Sequence, residues 1–200
     1  MEFKLNEDQQ MIHDLAKDFA ESVLQPRIDE IEAGEMTEVS NGQKHPQLPH
    51  DIHQQLAECG FIGISFPEEY NGMGMGHVEQ AIVIKELSRV SPSVGKCLDV
   101  YILGLEALDL YANHEQKMKY LPDLLAGRKI GAFGLTEPGA GSDASRQQTT
   151  AVLEGDHYVL NGSKCFITNA SEADVFIVLA MTDPKAGNHG ISAFIVERGF

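Results

Sequence analysis

The sequence predicts an α+β chain with segregated halves: an all-helical domain over 1–129, followed by an antiparallel β domain over 130–200. Three observations lead there. Before Lys129, apolar residues recur at spacings of three and four, the period of one helical face. From Ile130 the period changes, and short runs rich in Val, Ile, Phe and Thr are separated by turn residues. Asn161-Gly162 stands between two such runs, and this dipeptide favours the tight turn of an antiparallel hairpin.

Asn6, with Gln9 three residues on, is placed to cap a first helix whose Ile12, Leu15, Ala16, Phe19 and Val23 share a face. Pro26 is expected to end it. Residues 33–49 mix Gly34, Gly42, Pro46 and Pro49 with polar residues and read as a surface loop. A short helix over 51–58 turns Ile52 and Leu56 inward and stops at Gly60. Residues 61–66 then read as extended and apolar, and 67–76 as a flexible connection. His45, His50 and His53 lie close in sequence, but without a further ligand they read as a solvated loop and helix start rather than a metal site.

A buried helix over 78–88 is broken at Ser91-Pro92. Val94, Cys97, Leu98, Tyr101, Ile102, Leu105 and Leu108 then form the clearest helical stripe in the chain. A further helix from about His114 is expected to be interrupted at Pro122 and to stop by Gly127. The expected strands are 130–135, 150–153, 158–160, 164–168, 175–181 and 191–197.

Composition narrows the function. Hydrophobic content of 42% and charged content of 22% suit a globular protein, and 200 residues suffice for a substantial core. The formal net charge of -15 repels phosphate backbones and anionic lipid, so neither nucleic acid nor a membrane surface is an expected partner. Cys59, Cys97 and Cys165 are odd in number and far apart, which fits reduced thiols in the cytoplasm and shows no metal spacing. The polar opening Met-Glu-Phe-Lys-Leu-Asn-Glu-Asp does not read as a secretory signal, and no apolar run reaches membrane-spanning length.

The chemistry concentrates in Gly-Ala-Phe-Gly-Leu-Thr-Glu-Pro-Gly-Ala-Gly-Ser-Asp at 131–143. An apolar run leads into a turn where Pro138, Gly139 and Gly141 let the backbone bend and approach a ligand, while Thr136 and Ser142 add hydroxyls. No Gly-Lys-Ser/Thr follows, which excludes a P-loop, and 145–153 reads as a strand rather than the helix of a dinucleotide fingerprint.

With Asn161-Gly162-Ser163-Lys164-Cys165-Phe166-Ile167-Thr168-Asn169 downstream, this loop resembles the flavin-binding segments of the acyl-CoA dehydrogenase family. The resemblance covers nearly the whole chain. In the family's order come an opening Leu-x-x-x-Gln helix, Gly-Phe-x-Gly-Ile-x-x-Pro-Glu-Glu-Tyr-x-Gly, Glu-Gln-Lys-x-Lys-Tyr-Leu-Pro, Thr-Glu-Pro-Gly-Ala-Gly-Ser-Asp and Gly-Ile-Ser-Ala-Phe-Ile-Val-Glu. Phe166, where many members carry Trp, is similar to the short-chain, butyryl-CoA type branch.

The resemblance implies FAD as cofactor and α,β-dehydrogenation of an acyl-CoA thioester, with a carboxylate removing the α-proton and the β-hydrogen leaving as hydride. It implies that Phe133, Leu135, Thr136, Gly141, Ser142, Phe166 and Thr168 contact the flavin and that Ser142 also meets the acyl-CoA. By the same resemblance Gly95 and Asp99 are candidates for the far end of the acyl pocket. Arg146 and Lys164 are the loose candidates for contact with the anionic coenzyme.

The family's catalytic Glu lies in a C-terminal helical domain, so no catalytic residue is expected in this chain; Glu137 belongs to the turn. The resemblance also implies a homo-oligomer and an electron-transferring flavoprotein as partner. An acyl-CoA oxidase-like flavoenzyme and a non-catalytic flavin or acyl-CoA binding module remain open beside this reading.

Overall fold

Helix α1 (Glu7–Phe19) begins where the sequence places a cap: Asn6 Oδ1 accepts from the Gln9 amide at 2.8 Å, and Gln9 Oε1 accepts from the Asn6 amide at 3.1 Å. Two of the donors that a helix start leaves unpaired are thereby satisfied. The computed structural model describes residues 4–33, 35–38 and 44–200. The chain divides into two compact units at Lys129/Ile130.

In the first unit the helical path does not end at Pro26. A π-helical turn (Ala20–Leu24) and a 3₁₀ turn (Gln25–Arg27) lead into α2 (Ile28–Ala33). Pro26 sits at the junction of the π and 3₁₀ turns, the kind of local irregularity by which a continuing helical path accommodates a residue without an N–H. Within the stretch read as a loop, β1 (Glu35–Glu38) pairs antiparallel with β2 (Lys44–Gln47), Met36 opposite Pro46. A two-stranded ladder consists only of edges, which is why a proline does not prevent it. Gly34 and Gly42 lie outside the described residues.

Helix α3 (His50–Glu58) buries Ile52 and Leu56 and closes at Gly60, whose φ of +74° favours glycine. Residues 61–66 are buried apart from half-buried Ser65, as their composition demands, but they form successive turns instead of an extended segment. A short apolar run leaves the backbone conformation open. Residues 73–75 fold back onto them: Met73 donates to Gly63 O at 2.9 Å, Gly74 to Phe66 O at 2.8 Å and Met75 to Ile64 O at 2.9 Å. The region read as a flexible connection is thus an ordered fold-back. At Gly72 a Cβ would stand 2.7 Å from Phe66 Cβ.

Helices α4 (His77–Val90) and α5 (Pro92–Tyr111) meet at Ser91, whose hydroxyl accepts from the Val94 amide at 3.2 Å with Pro92 at the helix start. The stripe read from the sequence is the buried face of α5, with Cys97 half-buried. Helix α6 (His114–Leu125) contains Pro122 instead of breaking there. Tyr101 Oη donates toward Leu124 O at 2.9 Å and Lys129 O at 3.1 Å, fixing α5 to the end of α6.

The second unit contains β3 (Gly131–Gly134), β4 (Thr150–Glu154), β5 (His157–Asn161), β6 (Val175–Met181) and β7 (Ile191–Glu197). β7 runs antiparallel along the whole of β6, and β5 antiparallel to β4. β3, however, lies parallel to β6, with Gly131 opposite Val175 and Gly134 opposite Val178, and β4 reaches β6 parallel at Thr150–Met181. The sheet is therefore mixed, not purely antiparallel.

The cause is local. The turn of the β4–β5 hairpin is Gly155-Asp156, with Gly155 at φ +68°, and not Asn161-Gly162. Residues 164–168 form no strand, so the chain crosses over before β6 and runs beside β3 in the same direction. Gly162 answers to crowding instead: a Cβ there would lie 2.6 Å from Thr149 Cα. Likewise 144–146 is a 3₁₀ turn, and the strand begins only at Thr150.

Candidate functional site

β3 delivers Phe133, Leu135 and Thr136 to the start of the loop, each half-buried. Glu137 and Ala140 then exchange two backbone hydrogen bonds, of 3.0 and 3.1 Å, around Pro138-Gly139. Gly139 and Gly141 have ordinary negative-side φ angles, and a Cβ on either would meet nothing within 4 Å. Contrary to the expectation from sequence, they are not required by the bend. What they leave is bare backbone beside open space. Gly141 and Ser142 lie on the exposed rim.

The second segment is joined to the first by backbone and side chain together. The Cys165 amide donates to Thr136 O at 2.9 Å. Lys164 Nζ donates to Leu135 O at 2.9 Å, to Glu137 Oε1 at 2.8 Å and to Gln147 Oε1 at 3.0 Å. An ammonium has three N–H bonds, and all three are directed inward. Lys164 therefore has no donor to spare for a coenzyme phosphate, and of the two loose candidates only exposed Arg146 retains that option.

Glu137 is the counterpart of this cation. It is 7% exposed, and its carboxylate also accepts from the amides of Gln148 at 2.6 Å and Thr149 at 3.0 Å. Burial alone would raise its pKa. The bonds from Lys164, Thr149 and Gln148 outweigh burial and hold it down to about 2, so the carboxylate stays ionised and engaged. This suits a structural anion and not a proton acceptor. Sequence reasoning missed the pair, because nothing in the spacing of Glu137 and Lys164 says that they meet.

Phe166 follows at φ +58°, and the residue is 94% exposed. A large aromatic side chain held outward on a backbone that residues other than glycine seldom adopt offers a flat apolar face. Thr168 is half-buried, and Asn169 again takes a positive φ of 63°. Behind the loops, Gln147 Nε2 is buried without a partner among the described residues. An outward ring, nearby hydroxyls and bare loop backbone fit the face and polar edge of a flat heteroaromatic cofactor. The remaining candidates lie on α5: Gly95 is buried against Ser88 and Ile84 of α4, and Asp99 is exposed. No cluster of three or more His, Cys, Asp or Glu that could hold a metal occurs among the described residues.

The two units, one helical and one built on a mixed sheet, are matched in turn by two models of a single family. The family model for the acyl-CoA dehydrogenase N-terminal domain matches residues 6–128, and that for the middle domain matches 132–199. The chain belongs to the acyl-CoA dehydrogenase family.

Among its relatives is the short-chain specific acyl-CoA dehydrogenase of Clostridium acetobutylicum, 43% identical over all of this chain and 50% of the relative. A structure described as the electron transferring flavoprotein of Acidaminococcus fermentans superposes with a TM-score of 0.88 at 47% identity, over 100% of this chain and 50% of that one. The acyl-CoA dehydrogenase of Bacillus anthracis complexed with FAD superposes with a TM-score of 0.84 at 36% identity, over 98% of this chain and 32% of that one. The chain spans about half the length of the curated relatives it matches. Among the described residues, no helix is long and apolar enough to cross a membrane.

Proposed function

We propose that this chain is the flavin- and acyl-CoA-binding portion of a FAD-dependent acyl-CoA dehydrogenase acting on a short-chain acyl-CoA thioester. The observation that carries the reading is the pinning of the Leu135–Thr136 segment beside the outward Phe166 ring by the Cys165–Thr136 and Lys164–Leu135 bonds. Phe133, Leu135, Thr136, Gly141, Ser142, Phe166 and Thr168 would hold the cofactor. The ring of Phe166 supplies a flat wall, and the Thr136 and Thr168 hydroxyls supply donors and acceptors. Ser142 on the rim would also meet the acyl-CoA. FAD, when bound, supplies the acceptor for the hydride.

No acidic residue of these 200 is assigned as the base: Glu137, within the turn itself, is committed to Lys164 and two amides. The family and the FAD-bound relative support this reading, and the short-chain specific relative supports the substrate class. An electron-transferring flavoprotein as electron acceptor, a homo-oligomeric state and a cytoplasmic location complete the proposal.

The test is anaerobic titration with butyryl-CoA of the protein purified as it occurs in its cell. Stoichiometric FAD whose visible absorption bleaches on adding substrate is the expected result. Protein that neither carries nor takes up FAD overturns the reading. Bound FAD that no acyl-CoA reduces, whether short or long, leaves binding without turnover and overturns the dehydrogenase assignment.

A further inference from the structure

The Glu137–Lys164 pair is buried on both sides, with side-chain exposures of 6% and 12%. A buried pair of this kind adds little net stability, because the desolvation of two charges offsets most of their attraction. Its location says what it does. Lys164 immediately precedes Cys165-Phe166, and Glu137 immediately follows Leu135-Thr136. The ammonium grips the carbonyl of Leu135, the Cys165 amide grips the carbonyl of Thr136, and Glu137 reaches on to the amides of Gln148 and Thr149. Gln147 closes the set through its Oε1. Three separate stretches, 135–137, 147–149 and 164–165, are thus fixed about one ion pair.

We propose that Lys164 and Glu137 are positioning residues for the flavin site. They set the relative height of the Leu135–Thr136 segment and the Phe166 ring, without touching the cofactor themselves. This inference rests on the flavin-binding reading above and adds to it the device that aligns the site's two halves. Lys164 acts through the Leu135 carbonyl. Glu137 acts by keeping the ammonium in place and by tying the loop to the start of β4.

The experiment compares the flavin-loaded protein with Lys164→Met, Lys164→Arg and the double variant Lys164→Met/Glu137→Gln. Four readouts are taken: FAD affinity, reduction potential, flavin circular dichroism and thermal unfolding. Lys164→Met leaves a buried carboxylate uncompensated, so it loses both stability and flavin alignment. The double variant removes that uncompensated charge and recovers much of the thermal stability, yet its FAD affinity stays about tenfold weaker and its flavin dichroism stays altered, since one tenfold step corresponds to the loss of a bond or two. Lys164→Arg keeps the charge but cannot reproduce three convergent bonds from one atom, and it gives an intermediate dichroism.

FAD affinity, potential and dichroism all unchanged in Lys164→Met would overturn the positioning role. Flavin properties that recover fully in the double variant along with stability would also overturn it, reducing the pair to a structural one. A parent protein that takes up no FAD would instead refute the flavin-binding reading itself, and the positioning role with it.

Discussion

His53 is the most exacting test of the helical unit. It is 7% exposed, its Nε2 is buried without a partner among the described residues, and its ring stands edge-on to Tyr101 at 5.0 Å between centroids. Burial, and then the neighbouring charge of His50, push its pKa from 6.5 down to about 4. The folded state therefore binds a proton less readily than the unfolded state. Stability is complete above the unfolded value of 6.5, falls as pH drops below it, and stops falling below about 4.

Integrated between those values, the loss from pH 7.5 to pH 5 is about 2 kcal/mol, and the full loss is about 3 kcal/mol, at roughly 1.4 kcal/mol per pH unit of separation. The assay is urea unfolding followed by helical circular dichroism at both pH values, for the parent and for His53→Leu. Carboxylates held low by ion pairs, such as Asp51 and Glu30 with Arg27, also lose stability in acid, but they do so in both proteins and cancel in the difference. His53→Leu is expected to lose about 2 kcal/mol less than the parent over this interval. Equal losses in the two proteins, within about 0.5 kcal/mol, would show that His53 is not a buried neutral group, and the reasoning would fail.

Gly95→Ala would place a Cβ 3.0 Å from Ser88 Cβ and 3.2 Å from Ile84 O, and closer still to Ser88 Oγ. It should destabilise the α4–α5 packing by about 1–3 kcal/mol, and Ser88→Gly in the same chain should recover most of that in thermal unfolding. Thr168→Val should weaken FAD binding about fivefold and slow reduction by butyryl-CoA, the size of one lost hydrogen bond; unchanged affinity and rate would remove Thr168 from the site.

The helices were legible because their signals are local and redundant. Asn6 with Gln9, Ser91 with Pro92 and the 94–108 stripe each specify a boundary or a face within one or two turns. His53 was misread because its burial depends on Tyr101, and Tyr101 is far away in sequence. The β unit shows the same division. β4, β5, β6 and β7 follow from composition, but the 164–168 run has the residues of a strand and is instead held by Lys164 reaching across to Glu137. Asn161-Gly162 has the chemistry of a hairpin turn, yet Gly155-Asp156 makes the turn and Gly162 serves close packing against Thr149. The loop at 131–143 could be singled out from sequence, whereas the ion pair beneath it is a tertiary fact.

The parallel alignment of β3 with β6 bears on how the second unit is made. The β4–β5 hairpin closes through two residues and can form as soon as its strands exist. β3 finds its partner only at Val175, with the whole hairpin and the 162–174 connection intervening. On a ribosome, Gly131–Gly134 leaves the tunnel with neither edge paired and waits there for β6. Topology thus leaves β3, the first of these strands to be made, unsecured until β6 arrives, and the loop that follows it acquires its final geometry only after that.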